Sequence, residues 1–263
     1  MLFCLSFAFG LTAVWWFVFS FPLLKNVKQE SFVPRKKGAV KEALKGIGGT
    51  VKEIFRYKQM FVFLIAYFFY IDGVNTIIHM STSYGDTLGL DSTSMLLALL
   101  LVQVLGLPFA LLYIKASEKF GARFMVGVGI CVYMGVTIFG FFLREVWQFW
   151  VMAIMVATSQ GGIQALSRSM FGKLIPDKNR SGEFFGFYDI FGKFSAIMGP
   201  ALVGLSSALA ADVMLKEQGL DRVTATAEQL AAVDTAAAPW GILSVLLIFF
   251  VGGGLYFFVL PRY

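Results

Sequence analysis

Seven long apolar stretches run through this chain, and Lys and Arg fall almost entirely in every second gap between them. The stretches cover residues 1–24, 59–80, 94–114, 124–143, 147–167, 184–208 and 240–260. Each is long enough to cross a hydrocarbon core of ~30 Å as a helix. The gaps 25–58, 115–123 and 168–183, with the end of the chain, carry 18 of the 22 basic residues. The alternate gaps 81–93, 144–146 and 209–239 carry only Arg144, Lys216 and Arg222, and Lys193 sits inside a span. Basic residues stay cytoplasmic because they resist translocation, so the alternation sets the number of crossings and their direction. Residue 1 is then outside and Tyr263 inside. The expected fold class is an all-α polytopic membrane protein with seven transmembrane helices.

A hydrophobic content of 58% supports that class, far above the soluble norm. The net charge of +6 belongs to loops that face an anionic leaflet, so it argues for a lipid bilayer as partner and not for nucleic acid. Cys4 and Cys131 both lie within apolar spans, with no pairing pattern and no metal-ligand spacing. No metal site and no cofactor are expected. The first span lacks a basic n-region and is too long for a signal peptide, so it reads as a membrane helix. An odd count of spans, with nothing ahead of the first to orient it, predicts further residues upstream.

The chain divides into a membrane helix at 1–24, a basic cytoplasmic linker at 25–58 and a block of six spans at 59–263. Within the linker, Val40, Leu44, Ile47, Val51 and Ile54/Phe55 recur at helical spacing, with Lys41, Lys45, Lys52 and Arg56 on other faces. That pattern predicts an amphipathic helix along the inner membrane surface. Gly46, Gly48 and Gly49 are not a dinucleotide-binding fingerprint, because no strand precedes them and the spacing is wrong. The acidic, Ala-rich 209–239 segment is expected to extend the sixth span before turning back at Pro239.

Polar groups enter the spans in helical register, where their cost implies a bundle interior or a wet cavity. In the second span Asp72, Asn75, Thr76 and His79 recur at i, i+3, i+4 and i+7 and share a face. Asp72 lies near the middle of that span with no basic residue one turn away, so it is the leading candidate for binding a coupling proton or substrate. His79 either bonds a neighbouring helix or carries protons. Gln160, Gln164 and Arg168 share a face of the fifth span. The glutamines read as interhelical hydrogen-bonding groups or substrate ligands, and Arg168 as an interfacial residue or a clamp. In the sixth span Tyr188, Asp189, Gly192 and Lys193 share a face, with Asp189 and Lys193 at the i, i+4 spacing of a helical ion pair. Gln103 is central in the third span. The fourth and seventh spans carry no ionisable group and can face lipid. Gly199-Pro200 interrupts the hydrogen-bond ladder of the sixth span.

Two strings resemble motifs of the major facilitator superfamily. Tyr113-Ile-Lys-Ala-Ser-Glu-Lys-Phe-Gly-Ala-Arg-Phe124 is similar to its G-x-x-x-D-R-x-G-R-R loop, with Glu118, Lys119, Gly121 and Arg123 on the motif positions and Ile114 in place of the first glycine. Ser195-Ala-Ile-Met-Gly199-Pro200-Ala-Leu-Val-Gly204 is similar to its Gly-Pro kink. Tyr70-Ile-Asp-Gly-Val-Asn-Thr-Ile-Ile78, Gln160-Gly-Gly-Ile-Gln-Ala-Leu-Ser-Arg-Ser169 and Glu183-Phe-Phe-Gly-Phe-Tyr-Asp-Ile-Phe-Gly-Lys193 resemble the branch of vacuole-effluxer-like transporters, whose fungal members are autophagy-related amino-acid effluxers. The resemblance covers nearly the whole chain except the 209–239 loop. It implies that the seven spans are helices six to twelve of a twelve-helix transporter, a six-helix half-bundle plus one preceding helix.

The function this resemblance implies is secondary active transport of a small polar solute such as an amino acid, driven by protons. Asp72 and His79 would be the coupling groups, Asn75, Thr76, Gln103, Gln160, Gln164 and Tyr188 would line the substrate cavity, and Asp189, Lys193 and Arg168 would gate it. The missing amino-terminal half would be a partner, from the same gene, a separate chain or a homodimer. The compact loops favour a bacterial inner membrane with the carboxy terminus cytoplasmic. The alternative is a non-transporting membrane scaffold or an inactive half-transporter. An enzyme is not expected, since His79 is the sole histidine and no nucleophile pairs with it.

Overall fold

A computed structural model of the protein describes residues 2–27, 48–49 and 51–259, with side-chain environments from residue 6 to residue 258. Among these there is no strand, and seven helices are long and apolar enough to cross a membrane. The helices are α1 (Leu2–Asn26), α2 (Lys58–Thr87), α3 (Ser92–Phe120), α4 (Ala122–Phe141), α5 (Val146–Leu174), α6 (Ser181–Glu217) and α7 (Ala227–Gly254). A 3-10 turn at Lys178–Arg180 precedes α6, and a π turn at Leu255–Val259 closes α7. By its contacts the chain separates into Met1–Gly46, which holds α1, and Ile47–Tyr263, which holds the other six.

The helix ends follow local sequence chemistry. Asp91 caps α3, its side chain accepting from the Ser94 N–H at 2.7 Å. Reciprocal capping boxes start α5 (Glu145 with Gln148) and α7 (Thr226 with Gln229). Gly121 joins α3 to α4 at φ +87°, a backbone region where a side chain is strained. Several helices outrun the apolar stretches that predicted them. α2 continues to Thr87, so the 81–93 gap shrinks to a turn at 88–91. At 37 residues α6 is about 55 Å long, well beyond the hydrocarbon thickness.

The expected turn at Pro239 is not where the chain reverses. It turns at Gly219 (φ +69°), and Pro239 lies buried inside α7. Pro239 is nearly halfway along this helix, where a membrane bundle tolerates a proline that water would not. Beside it the Thr235 hydroxyl ties α7 to the end of α2 by donating to the Thr87 carbonyl at 3.1 Å. The far ends of α6 and α7 form a hairpin with its own small core of Ala211, Leu215, Val233 and Ala237. Arg222 clamps its tip to Asp212 at 2.6 Å.

The six helices pack with an internal symmetry. α3 lies on α5 as α2 lies on α6, α4 lies on α5 as α7 lies on α2, and α4 meets α7. Exchanging α2, α3 and α4 with α5, α6 and α7 maps each of these pairs onto another or onto itself. Since α2 and α5 run in opposite directions, this is the inverted-repeat arrangement of transporter halves. α2 is central and touches all five others. α4 and α7 turn narrow apolar strips outward, Phe124, Cys131 and Ile138 on one and Trp240, Leu247 and Phe250 on the other.

Most of the amphipathic linker stripe (Val40, Leu44 and Ile47) lies outside the described residues. Residues 51–56 are helical. Their inward residue Ile54 is 2% exposed within the bundle core, and Glu53 pairs with Arg180 at 2.7 Å. This last turn docks on the bundle through Ile54 while Phe55 stays exposed.

Candidate functional site

α6 approaches α2 closely because its facing positions are small. Gly192, Ser195 and Gly199 follow one another at spacings of three and four, and the side chains of α2 fill the groove they leave. The Tyr67 hydroxyl lies 2.9 Å from where a Gly192 Cβ would be, and Thr76 Oγ1 only 1.7 Å from a Gly199 Cβ. Asp72 and Thr76 are both 0% exposed in this seam. Asp72 Oδ1 accepts a hydrogen bond from the Gly199 backbone N–H at 3.0 Å. Among the described residues Asp72 Oδ2 and Thr76 Oγ1 have no hydrogen-bond partner. Pro200 follows immediately and brings no N–H, so the helical turn that receives the carboxylate is also the turn where the ladder of α6 is interrupted.

The four residues predicted to share a face of α2 therefore meet different surroundings. Asp72 and Thr76 are sealed in the seam, and Asn75 is half-buried, its amide 3.5 Å from Ser195 Oγ. His79 is exposed.

A second group gathers on α3 and α5. Gln103 and Gln160 line one cavity of about 70 Å³ with Ser81 and otherwise apolar walls such as Val102 and Phe149. Gln164 is exposed one turn beyond. Arg168 follows and forms an ion pair with Asp189 of α6, Nη1 to Oδ1 at 2.7 Å. The expected Asp189–Lys193 pair is thus replaced by an interhelical one. A guanidinium forks onto the carboxylate and also stacks on aromatic faces, which an ammonium does poorly. Arg168 lies 4.9 Å from the Phe185 ring centre and 5.9 Å from that of Tyr188. Lys193 is exposed and, among the described residues, has no carboxylate within 4.0 Å. Tyr188 is not a cavity wall. It is 3% exposed and stacked between Tyr67 (4.2 Å) and Phe171 (4.9 Å).

Both partners of the Arg168–Asp189 pair are about half exposed, at 52% and 46%. Such pairs contribute about 0–1 kcal/mol. Asp189→Asn is therefore expected to leave the thermal midpoint of the purified protein nearly unchanged, within a few degrees. A drop of ten degrees or more would mean that the pair is shut off from water and holds α5 to α6.

Of the residues expected in a loop between the third and fourth spans, Glu118 and Lys119 are exposed in the last turn of α3, which meets α4 at Gly121 alone. Arg123 reaches across to α7, where Nη2 donates to the Phe257 carbonyl at 3.1 Å and lies 3.4 Å from that of Tyr256. A cation at these last carbonyls complements the negative end of the helix dipole. The Tyr256 hydroxyl donates back to the Arg123 carbonyl at 3.1 Å.

Sequence reasoning missed the polar pairs that bind α2 to its neighbours. Tyr70 and Ser167 share a buried hydrogen bond of 2.7 Å between α2 and α5, and the Tyr84 hydroxyl donates to the Gly140 carbonyl of α4 at 2.8 Å. Tyrosine and serine are common in apolar helices, and only the partner across the interface marks these as special.

The sequence profile described as "Vacuole effluxer Atg22 like" matches residues 2–209, so the match runs from α1 into α6 and stops short of the hairpin and α7. A Bacillus subtilis protein named "Uncharacterized MFS-type transporter YxiO" is 49% identical over 202 residues, covering 77% of this chain and 47% of its own length. "Autophagy-related protein 22-1" of Aspergillus niger is 24% identical over 227 residues, covering 77% and 37%. The protein of the same name in Penicillium rubens is 26% identical over 227 residues, covering 77% and 38%. The chain spans less than half the length of these relatives. No solved structure matches it. A profile match over most of the chain, a bacterial relative at 49% identity and a symmetric six-helix block with one helix ahead of it agree: this multi-pass membrane protein belongs to the Atg22-like vacuole effluxer family, within the major facilitator class of proteins.

Proposed function

We propose that this chain forms the carboxy-terminal part of a secondary transporter that moves a small polar solute, such as an amino acid, by alternating access coupled to protons. The observation that carries the reading is the seam between α2 and α6. A fully buried carboxylate at mid-helix, held by one backbone N–H at the Gly199-Pro200 interruption, has a second oxygen with no partner among the described residues. Leaving a buried charge half-satisfied is costly, whereas the protonated acid needs less compensation. Taking up or losing a proton at Asp72 would thus alter how firmly α2 and α6 are held together, and their relative movement is what alternating access requires. Gln103 and Gln160 would bind the solute with help from Asn75 and Gln164, His79 would carry protons, and Arg168, Asp189 and Lys193 would gate access. Thr76 and Tyr188 act in this reading through packing.

The basic loops would lie in the cytoplasm and the carboxy terminus with them, in a bacterial inner membrane. The other half of the cavity would come from the amino-terminal half of the transporter. The test is uptake into proteoliposomes holding the whole transporter, with labelled amino acids and an imposed pH gradient. Asp72→Asn keeps the shape of the side chain and removes its titration, so gradient-driven accumulation is expected to fall at least ~100-fold while solute exchange without a gradient persists. Accumulation that survives in the variant would remove Asp72 from coupling. Loss of both activities in a variant that still folds would make it a binding or structural group instead.

A further inference from the structure

Where α2, α4 and α5 meet at the end of the bundle rich in basic loops, they enclose a cavity of about 380 Å³. Its wall is of two kinds. Arg123 and Lys173 supply cationic groups, and Phe63, Met170 and Leu174 supply an apolar floor, with Ala122 at the start of α4 between them. Among the described residues no carboxylate stands in the wall. We propose that this cavity is a binding site for the phosphodiester headgroup of an anionic phospholipid, with the first part of an acyl chain against the apolar floor.

Three features support a lipid in place of a free anion. The cavity opens at a helix end, at the depth where headgroups lie, and not along the middle of a span. Its walls are mostly apolar, which a hydrated phosphate ion would not favour but a lipid would. Its pair of cations is the third feature: Lys173 has no carboxylate within 4.0 Å among the described residues. Arg123 is held in position by the α7 carbonyls, so its guanidinium is oriented before any ligand arrives. A planar guanidinium beside a mobile ammonium suits a phosphate oxyanion cluster. The site touches no residue assigned above to transport, and it stands or falls separately from that proposal.

The test uses the full chain purified in detergent and observed by native mass spectrometry after addition of palmitoyl-oleoyl phosphatidylglycerol or, in parallel, the phosphatidylcholine of the same chains. Phosphatidylglycerol is expected to be retained in preference. Lys173→Gln should reduce that retention about fivefold, the effect of one basic residue near an anionic leaflet. Lys173→Arg should restore it, and Lys115→Gln, a cation of α3 outside the wall, should leave it unchanged. Equal retention of both lipids, or equal effects of Lys173→Gln and Lys115→Gln, would overturn the site. Displacement of the lipid by millimolar inorganic phosphate would assign the cavity to free phosphate and overturn the lipid reading.

Discussion

Gly199→Ala is expected to destabilise the six-helix block by roughly 2–5 kcal/mol, combining overpacking with loss of a hydrogen bond to a buried carboxylate. A methyl group at this position would sit 1.7 Å from Thr76 Oγ1, 2.8 Å from Thr76 Cβ and 3.2 Å from Asp72 Oδ1. Rotating Thr76 relieves the first contact but not the second, because Cβ is fixed to the backbone and a β-branched side chain has few rotamers to offer. The helices must separate, and separation lengthens the 3.0 Å bond from the Gly199 N–H to Asp72 Oδ1. The carboxylate would then be left in an apolar seam without its one donor. Gly204, five residues further along α6, has nothing within 4 Å of its added methyl. Gly204→Ala is a matched control that should be neutral or stabilising by up to about 1 kcal/mol, since alanine is the better helix former. Thermal unfolding of both variants in detergent decides the matter. Equal midpoints would mean that α6 does not seat on α2 as described.

The second large effect is expected on the opposite side of the bundle, where α3 meets α5. Tyr113 is wedged between glycines of two helices, its ring against Gly162 and its hydroxyl against Gly129, and that hydroxyl donates to the Met125 carbonyl. A methyl at Gly162 would lie 2.2 Å from the ring carbon Cγ and 2.7 Å from Cβ of Tyr113. The ring cannot swing away without giving up its buried hydrogen bond, so Gly162→Ala should cost about 1–3 kcal/mol. Tyr113→Ala should cost about 3–5 kcal/mol by opening a cavity. The combined variant should lose clearly less than the sum, because the new methyl enters the space the ring has left. Strict additivity in urea or thermal unfolding would show that the two positions do not touch.

The symmetry of the packing explains why these two contacts carry so much. α2 on α6 and α3 on α5 are equivalent pairs under the exchange of the two three-helix units, and each is made by small residues on one helix receiving large ones from the other. Without a hydrophobic driving force between helices in lipid, such close approach and a few polar contacts hold the bundle together. Those pairs also contain the residues that the transport proposal needs to move.

Much of this architecture was legible in the sequence. Apolar length is a property of single segments read against a bilayer, so it identified seven helices without any knowledge of partners. The polar residues of α2, α3, α5 and α6 were equally visible, because their cost inside a membrane does not depend on fold. What a helical period cannot supply is the neighbour. It placed Asp72, Asn75, Thr76 and His79 on one face, yet the first and third are sealed in a seam and the last is exposed. It offered Lys193 to Asp189 at i, i+4, and the tertiary structure chose Arg168 instead, because only the three-dimensional arrangement brings a guanidinium and the Phe185 ring to the same point. The turn of the α6–α7 hairpin was misjudged for a similar reason. Pro239 looks like a stop in one dimension, but it lies buried inside a helix that continues through it, and the reversal falls at a glycine that can adopt φ +69°. Number and polarity of the helices follow from the chain and the solvent it must enter, whereas the pairing of side chains follows from which faces touch, and that is decided only when all six helices are packed at once.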